Sequence, residues 1–126
     1  MHDETFSNED FSENRLVKGE YEQCVFKNCN FSECNLSEFQ FTDCEFVDCN
    51  LSLARLDKTA FRDIRFKNCK MLGLRFETCN EFGLTFSFEN CNLSHASFYK
   101  TKINKTVFRQ SLLQETDFAE CDLTGS

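Results

Sequence analysis

One periodicity restricts this chain more than any other property: a large apolar residue recurs at every fifth position. The series runs Phe6, Phe11, Leu16, Tyr21, Phe26, Phe31, Leu36, Phe41, Phe46, Leu51, Leu56, Phe61, Phe66, Met71 and Phe76, and resumes as Leu93, Phe98, Ile103, Phe108, Leu113, Phe118 and Leu123. An amphipathic helix needs a period near 3.6 and a half-buried strand a period near 2. Neither explains a sustained period of five, so the chain is built from internal repeats.

A second phase accompanies the first. All 9 cysteines fall on it, two residues ahead of the ladder, with Ala54 and Ala96 at equivalent places. This phase selects small, weakly polar side chains. The odd cysteine count and the lack of a basic, apolar leader in Met1-His2-Asp3-Glu4-Thr5 argue against a disulfide framework. Free thiols used for packing fit better, and the expected compartment is the reducing cytoplasm. The remaining positions carry Asn, Asp, Ser, Thr, Glu and Lys, as in Cys29-Asn30-Phe31-Ser32-Glu33, Cys34-Asn35-Leu36-Ser37-Glu38 and Cys121-Asp122-Leu123-Thr124-Gly125.

These blocks resemble the pentapeptide-repeat family, whose consensus is Ala-(Asp/Asn)-Leu-X-X with Cys or Ser often replacing Ala and Phe often replacing Leu. The resemblance implies an all-β fold, a right-handed quadrilateral β-helix with four pentapeptides per coil. Two of every five side chains then face a narrow interior, which has room for one large and one small residue per repeat. Residues 20 apart stack on one face, about 4.8 Å apart. Phe6, Phe26, Phe46 and Phe66 form one such column; Leu16, Leu36, Leu56 and Phe76 form another.

Between Phe76 and Leu93 the register gains two residues, within 77–92. Two six-residue steps, Phe76 to Phe82 to Phe88, keep every face aligned and are the favoured reading. The alternative is a two-residue bulge near Gly83 with Phe86 inside. With Phe82 and Phe88 counted, residues 1–126 form a single rod of about six coils and roughly 25 to 30 Å in length. The resemblance also implies further C-terminal coils or a terminal helix that dimerises. The chain is therefore expected either to continue past Ser126 or to form a homodimer through its C-terminal end.

Catalysis has little to stand on. The two histidines are His2, near the terminus, and His95, on an outward phase, and no motif sets a base beside a nucleophile. Cys29, Cys49, Cys69 and Cys91 share one face, but a linear column cannot supply four tetrahedral zinc ligands. No enzyme activity, cofactor or metal is expected. No stretch approaches the ~20 apolar residues of a membrane span.

The formal net charge of -7 argues against direct nucleic-acid or anionic-membrane binding and favours a basic protein partner. Acidity gathers on two opposite faces: Glu13 and Glu33 on the face of Phe11 and Phe31, and Glu20, Glu22, Asp43 and Asp63 on that of Tyr21, Phe41 and Phe61. In Phe and Cys content and in acidity the chain resembles the bacterial quinolone-resistance branch of the family, which implies mimicry of DNA toward DNA gyrase or topoisomerase IV. The other readings are a protein-interaction scaffold with an unrelated partner and a self-assembling structural rod. An acidic surface that only keeps a Phe-rich rod soluble explains the same charges. Val17, Leu53, Leu72 and Tyr99 are the outward apolar candidates for a contact patch.

Overall fold

A computed structural model describes residues 1–126, and every strand pairing in it is parallel. One face is a six-stranded sheet of β1 (Thr5–Ser7), β3 (Val25–Lys27), β5 (Glu45–Val47), β7 (Ile64–Lys67), β8 (Phe86–Glu89) and β9 (Val107–Arg109). The adjacent face, which precedes it in each coil, pairs β2 (Glu20–Glu22), β4 (Gln40–Thr42) and β6 (Ala60–Arg62). The two remaining faces are held by single bridges such as Asp10 to Asn30 to Asn50 to Lys70, and Asn35 to Arg55. The chain is thus a right-handed square β-helix. The six rungs of the larger sheet mark out about five complete turns.

Four corners per coil require the chain to reverse direction without long loops. The second residue after most ladder positions takes up a left-handed conformation, as at Asn8 (φ 57), Asn28 (φ 50), Asp48 (φ 55), Asn68 (φ 53) and Asn90 (φ 52). Asn and Asp tolerate this region best among residues with side chains, which accounts for their abundance. Stacking also makes them useful: Asn28 Nδ2 donates to Asn8 Oδ1 at 2.7 Å and Asn90 Nδ2 to Asn68 Oδ1 at 2.8 Å. At the position before the ladder, Asn30, Asn50 and Asn92 accept the N–H of Ser32, Ser52 and Ser94 on their side-chain oxygens.

Inside, the phenylalanines form continuous columns. Along the larger sheet, Phe6, Phe26, Phe46, Phe66, Phe88 and Phe108 stack with centroid spacings of 4.9, 4.8, 5.2, 5.3 and 5.3 Å. Rings from adjacent faces meet edge to face, as Phe41 does with Phe46 at 5.4 Å and 74°. Each such pair adds about 0.5–1.5 kcal/mol beyond area burial.

The inward small phase holds most of the cysteines buried and free. Their thiols donate to the carbonyl of a ladder residue on the preceding coil: Cys49 to Phe26 at 3.3 Å, Cys69 to Phe46 at 3.2 Å, Cys44 to Tyr21 at 3.2 Å. Thr59 Oγ1 makes the same bond to Leu36 at 2.7 Å. This phase is not confined to small residues, however. Phe39, Ile64, Leu74 and Phe86 occupy it and are buried. Volume is conserved along the column instead: Leu74 lies one coil from Ala54 and one from Ala96, and Phe39 lies between Gly19 and Thr59, so bulky residues have small neighbours.

The register gain is placed differently from the favoured sequence reading. Phe66 pairs with Phe88, so the column of Phe6 does pass through Phe88. Phe82 does not point inward; it is 73% exposed, and Phe86 is buried instead, beside Phe76 and Phe88. The extra residues form a bulge at a corner. There Gly83 has φ 67, Arg62 Nε donates to the Phe82 carbonyl at 3.2 Å, and Leu84 takes the half-buried place on that face. A β-carbon on Gly83 would sit 3.3 Å from the Arg62 side chain.

Candidate interaction surface

A filled coil leaves only its exterior for function. Every buried side-chain nitrogen and oxygen has a hydrogen-bond partner, and no group of three or more His, Cys, Asp or Glu side chains converges as a metal site would require. No helix is long and apolar enough to cross a membrane.

The six acidic candidates fall into two separate places. Glu20 and Glu22 flank Tyr21 on β2 and point outward, with Glu22 Oε2 3.7 Å from His2 Nδ1. Asp43 and Asp63 occupy successive turns of one corner, both left-handed, φ 52 and 57. Asp63 is exposed. Asp43 is half-buried and accepts from Arg65 Nη1 at 3.1 Å, while Arg65 Nε donates to Glu45 Oε2 at 3.3 Å. The Asp43 carboxylate, and Glu45 after it, hold the guanidinium above its ordinary pKa.

This three-membered network was not anticipated, although the spacing of 20 between Glu45 and Arg65 would have revealed half of it. It offsets the acidity of the Asp43 corner. Glu33 sits exposed at a left-handed corner on the other side of the rod, φ 57. Glu13 leaves the column altogether: its N–H donates to Asp10 O at 3.3 Å in a local turn, and Asn14 N–H joins it on the same oxygen at 3.0 Å.

Among apolar surface residues, Val17, Leu53 and Tyr99 are exposed, whereas Leu72 is half-buried. Leu53 has a structural task, since its side chain lies over Gly73 (φ 68), where a β-carbon would come within 2.8 Å of Leu53 Cδ2. Phe82 is the largest exposed apolar side chain the sequence reading missed.

A stack of pentapeptide rungs with this interior has a counterpart among known families. The pentapeptide repeat region matches residues 20–87, and pentapeptide repeats in 8 copies match residues 87–126. The chain belongs to the pentapeptide-repeat family. Solved structures similar to this pentapeptide-repeat rod include full-length QnrB1, a plasmid-mediated fluoroquinolone resistance protein, at 22% identity over 96% of this chain and 70% of that one, with a TM-score of 0.47. A trypsin-treated R167E form of QnrB1 is 21% identical over 98% of this chain and 72% of that one, with a TM-score of 0.49. The pentapeptide repeat protein Rfr23 from the cyanobacterium Cyanothece 51142 is 16% identical over 99% and 88%, with a TM-score of 0.32. Likeness at this level concerns the coil and not its partners. No curated protein matches the chain in sequence.

Proposed function

We propose that this pentapeptide-repeat protein is a non-catalytic binding protein that occupies the DNA-binding surface of DNA gyrase or topoisomerase IV and thereby protects the enzyme from quinolones. The observation that carries the reading is a rod with a fully packed interior whose net charge of -7 is displayed on outward positions, with Glu20, Glu22 and Asp63 exposed along one side. Outward carboxylates on a stiff support present a basic DNA-binding groove with a pre-organised anionic ligand, so little ordering entropy is lost on docking. The Asp43–Arg65–Glu45 network weakens that side locally, which makes the Tyr21 face near Glu20 and Glu22 the stronger contact.

Gyrase supercoiling measured with the purified protein, with and without a fluoroquinolone, tests this directly. Inhibition at high protein concentration and rescue from the drug at lower concentration are the expected results. Both should weaken in Glu20→Lys/Glu22→Lys. Absence of inhibition, of protection and of binding at low salt would end the reading and leave a scaffold for a different protein.

A further inference from the structure

The first coil is closed on three sides and open on the fourth. Phe11 N–H donates to Asn30 O at 2.9 Å, and Gln40 N–H donates to Gly19 O at 3.1 Å. Between those two rungs the ladder is missing. The N–H of Asn35 and the carbonyls of Ser32, Asn35 and Ser37 have no main-chain partner. One coil further on, every equivalent group is paired: Arg55 N–H donates to Cys34 O at 2.8 Å, and the carbonyls of Ser52, Arg55 and Asp57 accept from Glu33, Leu36 and Glu38 at 2.9, 2.9 and 3.0 Å.

The sequence explains the opening. Asn14 and Gly19 occupy the inward phase that other coils fill with Cys, Ala, Thr or a larger apolar residue. Burying the Asn14 amide unpaired would cost about 1–3 kcal/mol, so the chain turns it outward. Gly19 supplies no filling side chain, and a β-carbon there would meet nothing within 4 Å. Phe39 from the next coil fills the interior instead, stacked on Tyr21 at 6.1 Å and 9°. The Tyr21 hydroxyl donates to the Val17 carbonyl and fixes the displaced segment beyond the gap.

The result is a groove of about 690 Å³ between the displaced segment and the Asn35 edge. Three cations line it, Arg15, Lys18 and Arg55, against one carboxylate, Glu33. Arg15 and Lys18 have no ion-pair partner, and Arg55 has only Asp57 at 3.6 Å. Cationic lining on a strongly acidic rod, around a strand edge with one free donor and three free acceptors, defines what would fill it.

We propose that this groove binds an extended acidic peptide, which supplies the missing rung by pairing its main chain with Asn35 while its carboxylates face Arg15, Lys18 and Arg55. Strand addition of this kind draws affinity from main-chain hydrogen bonds and selectivity from the flanking side chains. A central apolar residue of the peptide rests against the half-buried Leu16. This site lies on the face next to that of Tyr21, and it does not depend on the gyrase reading.

The test uses the full chain and a labelled, end-capped pentapeptide, Glu-Asp-Leu-Asp-Glu, followed by fluorescence anisotropy at low salt. Saturable binding is expected. It should weaken at least about tenfold with Arg15→Glu/Lys18→Glu, and by a similar factor when the peptide's main chain is N-methylated with its charges intact. Circular dichroism and melting confirm that the variant, changed only at exposed positions, remains folded. Three results would each overturn the proposal: no saturable binding, binding that survives charge reversal, or equal binding of the methylated peptide. Hydrogen exchange adds a fourth. If the Asn35 amide of the free protein is protected as strongly as that of Arg55, the chain's own segment closes the rung and the groove is not a binding site.

Discussion

Phe76 and Phe98 lie with ring centroids 4.6 Å apart and planes within 1° of each other, although 22 residues separate them instead of the 20 of a regular coil. The two extra residues are therefore absorbed entirely at the surface bulge around Gly83. The core column passes the insertion undisturbed, and Phe118 stacks on Phe98 in turn at 5.4 Å and 2°.

Substitutions at the two kinds of phenylalanine should separate sharply. Phe46→Ala removes a fully buried ring stacked on both sides and is expected to cost about 3–5 kcal/mol. Phe82→Ser changes an exposed ring and should stay within about 0.5 kcal/mol. Urea denaturation of both variants measures the difference. A Phe82→Ser cost matching that of Phe46→Ala would return Phe82 to the interior.

Two glycines should respond to alanine with opposite signs. Gly19 has open space around it and no left-handed backbone, so Gly19→Ala is expected to stabilise by about 0.4–1 kcal/mol through the unfolded chain. Gly83→Ala forces a side chain onto φ 67 and against Arg62, and should destabilise by about 1 kcal/mol or more. Thermal melts of the two variants should shift in opposite directions.

Alkaline pH should weaken the fold through its thiols. Burial, the largest influence, pushes the Cys44 thiol up to about 11, above the ordinary unfolded value near 8.5. Between these values the folded state holds the proton that the unfolded state releases, so this contribution is complete below pH ~8.5 and is lost as pH rises toward 11. Urea midpoints across that range should fall, and less steeply in Cys44→Ala.

Removal of the Arg65 guanidinium offers a test of charge on the Asp43 corner. Its bonds to Asp43 and Glu45 are half exposed, so Arg65→Gln should change stability by less than about 1 kcal/mol. It also frees two carboxylates on an acidic surface. Under the mimicry reading, inhibition of gyrase supercoiling should strengthen, most visibly at low salt.

What could be read from the sequence differed from place to place for identifiable reasons. The columns were legible because stacking turns a spacing of 20 into direct contact, so Phe26 and Phe46 announce each other. The bulge was only half legible. Two residues added anywhere between Phe76 and Phe88 keep Phe88 on the column of Phe66, and nothing in the period says whether Phe82 or Phe86 turns inward. The open first coil had a visible signal in Asn14 and Gly19 on the inward phase, but the readiness of Phe39 to fill the space depends on a neighbour one coil away. The acidic candidates were placed on the correct kind of position, outward, yet the pairing of Asp43 with Arg65 crosses a corner as well as a coil.

By itself the sequence determined a stacked aromatic interior and an acidic exterior, because a sustained period of five buries its apolar residues only by stacking repeats on one another, while the square shape of the coil came with the resemblance to pentapeptide repeats. Only the tertiary structure decided which phenylalanine fills the bulge, which carboxylates are neutralised and where the first coil stays open. Those outcomes rest on competition for shared volume and shared hydrogen-bond partners between residues about 20 apart, and no single repeat contains that information.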